Sequence, residues 1–336
     1  MQKNSNIYNY FMKVVNNISP KLSWNAKTIS SHYIWRKKFE SKLQELLGKM
    51  PKKVPLAVYL DEKIETKSFI RSKIYIRSEK DYWIPSYYFL PKNLKKKTPA
   101  IICLHGHSGI LPYIREGTKE QKALGKRHSL DYAPFFAENG YITIAPIQRG
   151  WNETMYDNTA KYGPCYRLTM DAFLIGMTPI GIRVWDCMRI IDFLKTQDEV
   201  DKLKIGVAGI SGGGTTSLFL SAIDERIKFA MIAGYFCTFR DSIYKIFHCI
   251  CNCVPHIMEW AEMSDIAALI APRPLLIISG EKDPIFPIEG TKKAYKMLEK
   301  VYKMLGKEEN LENDFFEGEH QWSNRKTIQF LKKHFI

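Results

Sequence analysis

Lys204-Ile-Gly-Val-Ala208-Gly209-Ile-Ser211-Gly212-Gly213-Gly-Thr215 is the stretch on which the reading of this chain turns. An apolar run ends at Ala208, and the pattern G-x-S-x-G follows at once, with glycine two residues before and two residues after Ser211. Glycines at those places let the backbone swing sharply from strand to helix, which leaves the serine oxygen exposed at the edge of a sheet. The pentapeptide alone is a weak signal, because a glycine-rich turn carrying an idle serine has the same letters. Its position directly after a strand gives it meaning.

Further strand candidates lie at 100–104, 141–145, 229–233, 275–278 and 311–316, most of them short apolar runs, separated by stretches with helical spacing. Strands that are apolar throughout and alternate with helices predict a mostly parallel sheet with helices on both faces, an α/β fold. Ahead of the Ser211 strand, Thr178 is placed to cap a helix, Pro179 suits its first turn, and Val184, Met188, Ile191 and Leu194 share a face. Lys73–Arg77 and Tyr87–Leu90 read as an opening antiparallel pair. Between Trp24 and Leu47, the spacing of Trp35, Phe39, Leu43 and Leu46 predicts a helix with one apolar stripe. The expected organisation is an N-terminal helical extension over residues 1–60 and a catalytic domain over 61–336, with cap-like insertions at roughly 150–177 and 235–265.

A serine hydroxyl needs a base to act as a nucleophile, and the base needs an orienting carboxylate. Ser279-Gly-Glu281-Lys-Asp283-Pro284 follows the 275–278 run and can present a carboxylate at the same sheet edge. Glu317-Gly-Glu-His320-Gln-Trp322 follows the last run and can present an imidazole there. Asp283 is preferred over Glu281, because Pro284 fixes the chain after it and a short side chain suits a strand-end loop. The tetrahedral intermediate of acyl transfer also needs donors for its oxyanion. The backbone N–H of Gly212 is one candidate, and that of His107, in the loop His105-Gly-His107-Ser108-Gly109 after residues 100–104, is the other. The rings of His105 and His107 are expected to shape that loop rather than react.

These motifs resemble a known group. The HGHSG loop, the GISGGGT elbow, the APRPLLIISGEKDPIFP segment and the GEHQW tail are similar to the α/β-hydrolase superfamily, in its dienelactone-hydrolase and acetyl-xylan-esterase-like branch. DERIKFAMIAGYFCTFRDSI and HCICNCVPH also resemble bacterial members of that branch. The resemblance covers roughly residues 70–336 and implies an α/β-hydrolase fold with helical cap elements. It also implies serine-dependent hydrolysis of carboxylic esters, most often short-acyl ones such as acetyl. Ser211 stands where dienelactone hydrolases proper carry cysteine, which argues against lactone hydrolysis of their kind. Peptide or amide cleavage and acyl transfer to another alcohol remain open on the same triad, as does a ligand-binding relative without turnover.

Composition narrows the partners. At 336 residues, 45% hydrophobic and 25% charged, the chain is neither disordered, collagenous nor a coiled coil. No apolar run is long enough to span a bilayer, and the first residues lack the apolar core of a signal peptide, so a cytoplasmic protein is expected. The net charge is +15, of which residues 1–60 supply eleven basic against two acidic side chains. An excess so confined does not point to nucleic acid, and the basic positions Arg36, Lys37, Lys38 and Lys42 are expected on a solvated helix face. The apolar stripe beside them must be buried on the domain or against a second copy, which leaves room for a homo-oligomer.

Seven cysteines without C-x-x-C spacing fit reduced thiols better than disulfides. His248, Cys249, Cys251, Cys253 and His256 are soft ligands at close range, but C-x-C-x-C on one element cannot turn all three thiolates inward, and no second ligand pair is evident. A buried, reduced cysteine cluster is therefore expected, with no metal and no cofactor. Trp151, Phe236 and Trp322, in connections near the sheet edge, are expected to line the pocket for a small-molecule or acetylated-carbohydrate ester. For the loop Arg149-Gly-Trp151, an ordinary turn is an equal alternative.

Overall fold

The computed structural model describes residues 6–94, 96–156 and 163–335. Residues 1–5 of the N-terminal segment and 157–162 of the first insertion thus lie outside the described residues. The strands are β1 (Val58–Glu65), β2 (Phe69–Glu79), β3 (Tyr82–Pro91), β4 (Thr98–Leu104), β5 (Ile142–Pro146), β6 (Val200–Ile210), β7 (Phe229–Ala233), β8 (Leu275–Gly280) and β9 (Leu311–Phe316). They form one sheet in the order β1-β2-β3-β5-β4-β6-β7-β8-β9. The first three strands and the β3–β5 junction are antiparallel, and from β5 onward every pairing is parallel. The expected opening pair is present, with Lys73 opposite Tyr87.

Two helices, α1 (Ile7–Asn16) and α2 (Ile29–Leu47), precede the sheet. The pair α3 (Lys119–Arg127) and α4 (Tyr132–Glu138) connects β4 to β5, and α5 (Pro164–Leu174) and α6 (Pro179–Leu194) connect β5 to β6. Next come α7 (Gly212–Ile223), the short α8 (Ile257–Trp260) and α9 (Met263–Ala268), α10 (Ile288–Met304) and α11 (Thr327–Phe335).

Alternation within the strands divides the core in two. Ile102, Val207, Ile232 and Ile277 face one apolar layer, with α2, α6, α7 and α10; their neighbours Cys103, Ala208, Met231 and Leu276 face the other, with α4 and α11. Both layers exclude water, which is why the stretches that cross them, 100–104, 205–210, 229–233 and 275–278, carry no charged or polar side chain. The α6 start is as expected: the Thr178 hydroxyl accepts the Gly181 N–H at 2.9 Å, and Pro179 opens the helix.

The helix expected near Trp35 is α2, begun by a capping box in which Thr28 and Ser31 satisfy each other's backbone N–H. Its stripe Trp35, Phe39, Leu43 and Leu47 is buried in the larger layer, worth roughly 1.5–3 kcal/mol for each fully buried side chain. Polar bonds hold the helix in place: the Trp24 N–H donates to Asp265 at 2.8 Å, and Thr178 donates to the Leu47 carbonyl at 2.7 Å. The basic face departs from the expectation at one residue. Arg36 is buried, donates to the Ala271 carbonyl at 2.9 Å and pairs with Glu225 at 2.9 Å. It lies one residue past Trp35 and thus at the margin of the stripe, where its long stem can be covered while its guanidinium is satisfied.

Candidate active site

The site is built at the carboxyl ends of the parallel strands. β6 ends at Ile210 and α7 begins at Gly212, so Ser211 takes the whole turn, with φ +58° and ψ −123°. That conformation costs a non-glycine residue of order 1–3 kcal/mol and persists only where the surroundings impose it. They do: the Ser211 N–H donates to the Ala233 carbonyl at 3.0 Å, and the flanking glycines leave no room for a side chain. A Cβ on Gly209 would overlap the Gly213 carbonyl, and one on Gly213 would overlap the Leu104 carbonyl.

Asp283 lies in the turn after β8 and is buried. One carboxylate oxygen accepts the N–H groups of Ile285 and Phe286, each at 3.0 Å. That leaves the other oxygen for His320 Nδ1, 2.7 Å away. Phe286 stacks on the His320 ring, with centroids 5.7 Å apart, and limits its swing. The pairing fixes the proton on Nδ1 and frees Nε2 as an acceptor. His320 Nε2 has no hydrogen-bond partner among the described residues, Ser211 included, and both side chains line one cavity of about 650 Å³. In the absence of substrate, such a serine–histidine contact is often open. Glu281, the rival carboxylate, is exposed.

The loop after β4 is wired from below. His105 is fully buried; its Nδ1–H donates to the Gly106 carbonyl at 2.8 Å and its Nε2 accepts the Gln148 N–H at 2.9 Å. Burial pushes this imidazole down to about 4, so it is neutral and structural. Tyr113 OH accepts the Gly106 N–H at 2.9 Å. His107, two residues on, lays its ring on the start of α7, where a Cβ on Gly212 would sit 2.8 Å from His107 Cε1. Gly212 is the first residue of α7, where the backbone N–H groups have no partner within the helix.

Of the three aromatic residues expected in the pocket, Trp151 lines the cavity, edge-on to the His107 ring at 5.5 Å. Phe236 and Trp322 do not. Phe236 is packed in the larger apolar layer, and Trp322 stacks on Tyr132 at 4.3 Å in the smaller one. Both are in connections, but connection residues that point under the sheet edge are part of the core. Arg149 also turns away from the cavity, to Asp186 at 2.8 Å and Glu79 at 2.6 Å.

The cavity wall instead contains Phe286, Ile285, Ile250 and Cys165, none of them expected there from the sequence, and Cys249, which the sequence marks only as part of a cysteine cluster. With Cys251 and His107, these cysteines form a cluster whose ligand atoms all lie within 4.8 Å of one another. Hydrogen bonds with Cys165 and Cys249, and the Arg183 charge, draw the Cys251 thiol well below its ordinary range. A second, apolar cavity of about 410 Å³, lined by Phe11, Val14 and Ile243 among others, contains none of Ser211, Asp283 and His320.

Known proteins share this architecture. The chain is 25% identical over 266 residues to a Bacillus subtilis (strain 168) protein named "Putative hydrolase YtaP", an alignment spanning 77% of this chain and 85% of that one. Its structure superposes on that of a "putative acetyl xylan esterase" from Bacteroides fragilis with a TM-score of 0.79 at 19% identity, covering 94% of this chain and 83% of the other. For a glucuronoyl esterase from Solibacter usitatus the TM-score is 0.67 at 17% identity, with 94% and 98% covered. At those identities the superpositions speak for the α/β-hydrolase fold, which the strand order and the Ser211 elbow also display. The family assignment comes from the sequence: residues 4–333, nearly the whole length described above, match the Abhydrolase family, and the chain belongs to it.

Proposed function

We propose that this protein is a serine esterase that hydrolyses short-acyl esters, acetyl esters of small molecules or carbohydrates foremost, through an acyl-enzyme intermediate. The observation that carries the reading is the His320–Asp283 pair at 2.7 Å on the wall of the cavity that also holds Ser211 in its strained turn. A cavity of about 650 Å³ is within the range of small-ligand sites. Names among the structural relatives, acetyl xylan esterase and glucuronoyl esterase, describe carbohydrate esters as substrates of those proteins and favour that class here.

In this mechanism Ser211 Oγ attacks the ester carbonyl while His320 Nε2 takes its proton. The negative oxygen of the tetrahedral intermediate is held by the N–H groups of His107 and Gly212. Collapse breaks the bond to the alcohol, and His320 returns the proton to that leaving oxygen. Water then attacks the acyl-serine, giving its proton to His320, and the acid departs as Ser211 is reprotonated. Asp283 keeps the imidazole in the right tautomer throughout and stabilises the imidazolium. Trp151 forms part of the wall beside the acyl group.

No helix among the described residues is long and apolar enough to cross a membrane. Seven free thiols, five of them buried, favour a reducing compartment such as the cytoplasm.

The deciding experiment compares p-nitrophenyl esters of increasing chain length, acetylated sugars and aminoacyl anilides, for the full chain and for Ser211→Ala. The expected result is preference for acetyl esters and no turnover in the variant. Cleavage of anilides in preference to esters would make the protein an amidase, and unchanged turnover in Ser211→Ala would remove the nucleophile assignment.

A further inference from the structure

Beside the elbow, the structure brings together four soft ligands that belong to three separate stretches of chain. His107 comes from the loop after β4, Cys165 from the first turn of α5, and Cys249 and Cys251 from a single tight turn in the β7–β8 connection. Their ligand atoms all lie within 4.8 Å of one another; His107 Nε2 is 3.2 Å and Cys249 Sγ 3.4 Å from Cys251 Sγ. Zinc bonds of about 2.3 Å to sulfur and 2.0–2.1 Å to nitrogen place the corners of a tetrahedron roughly 3.6–3.8 Å apart. To close it, the two short contacts open by a few tenths of an ångström and the widest separation, up to 4.8 Å, draws in by about 1 Å, a movement within reach of side-chain rotation. Cys253 and His256, close by in sequence, are exposed and stay outside the group.

Charge provides an independent observation. Arg183 on α6 is buried, yet among the described residues it pairs with no carboxylate; its guanidinium donates to the Arg149 carbonyl at 2.9 Å and to Cys165 Sγ at 3.3 Å. A buried cation needs a counter-charge, and with no carboxylate beside it the groups that face Arg183 are sulfurs of this cluster. A divalent ion held by three thiolates and a neutral imidazole has a net charge of −1, which Arg183 balances at contact distance.

We propose that His107, Cys165, Cys249 and Cys251 bind one zinc ion. Each thiol that is still protonated releases its proton to solvent as its sulfur–zinc bond forms, and His107 binds through Nε2 with its proton on Nδ1; no oxidant takes part. Four protein ligands close the coordination sphere, as in structural zinc sites, so the ion does not meet substrate. It ties the loop that presents the His107 N–H to the two segments that roof the cavity. The inference is independent of the esterase reading, because its test follows the metal and not turnover.

The full-length protein, purified with reductant and stripped with a chelator, is titrated with Co(II) and then with Zn(II). The expected result is one cobalt per chain, with the sulfur-to-cobalt charge-transfer band and the strong visible bands of a tetrahedral thiolate site, all erased by zinc. Cys165→Ser should lose the charge-transfer intensity or weaken zinc by at least about 10-fold, while Cys253→Ser should titrate like the parent. Absence of a saturable thiolate band in the parent chain overturns the proposal whatever the variants do. So does a band unchanged in folded Cys165→Ser, or a Cys249–Cys251 disulfide found by mass spectrometry in the reductively purified protein.

Discussion

Acid should unlock the loop that carries His107, and His105 is the residue through which it acts. The buried imidazole gives its Nδ1–H to the Gly106 carbonyl and accepts the Gln148 N–H at Nε2. A second proton on Nε2 would point at that N–H, donor against donor, in a place where burial already penalises charge. Burial accordingly holds the folded-state pKa at about 4, against an ordinary 6.5. Between those two values the unfolded chain carries the extra proton and the folded chain does not. The stabilisation is therefore complete above the ordinary value and is lost as pH falls toward the folded one. At about 1.36 kcal/mol per pKa unit the whole effect is about 3 kcal/mol, of which about 2.5 kcal/mol has gone by pH ~4.5. Urea unfolding at pH ~7.5 and ~4.5 measures it, in the parent and in His105→Gln, whose amide oxygen accepts the Gln148 N–H but does not titrate. His32, which burial also holds down to about 4, titrates in both proteins and cancels in the comparison. The parent should lose about 2.5 kcal/mol more than the variant over that pH interval. Equal losses would refute the claim that a neutral His105 props the loop.

Two further outcomes are expected. Asp283→Asn should fold normally and lose about 10⁴-fold in kcat on p-nitrophenyl acetate, because the amide favours the wrong imidazole tautomer; Glu281→Gln should stay within a few-fold of the parent, and the reverse order would move the acid to Glu281. Phe39→Ala, at a fully buried α2 position, should cost about 3–5 kcal/mol in urea unfolding. A cost below ~1 kcal/mol would mean that α2 is not integral to the core.

Much of this is legible in the sequence, and the exceptions have physical causes. Apolar strands at regular spacing announce a parallel sheet because both of its faces are dry, and the Ser211 turn is visible because only glycines can flank it. β1 escaped notice because all of its residues are exposed and its register shifts between Leu60 and Glu62, so it has no alternating pattern to read. Phe236 and Trp322 depart from expectation because a sequence shows that an aromatic is in a connection but not which way it points. The thiol and imidazole cluster is invisible for a stronger reason. His107 and Cys165 are far in the chain from Cys249 and Cys251, and only the closing of the sheet makes them neighbours. Arg36 departs from the expected solvated face because its partners, the buried Ala271 carbonyl and the exposed Glu225 carboxylate, lie roughly 190 to 235 residues away in the chain.

The anchoring of α2 has a consequence for how the chain is made. The Trp24 N–H bond to Asp265 links residues 241 apart, and the Arg36 bond to Ala271 links residues 235 apart. Synthesis proceeds at about 5–20 residues per second, so α2 leaves the ribosome on the order of 10–50 s before those partners exist. Through that interval Trp35, Phe39, Leu43 and Leu47 have no complete native surface to cover them, and the nascent chain carries an apolar stripe open to aggregation or to a chaperone. Lys37, Lys38 and Lys42, interleaved with the stripe, act as gatekeepers for that waiting period. The basic charge concentrated at this end of the chain is thus suited to keeping a helix soluble until the last third of the protein arrives to receive it.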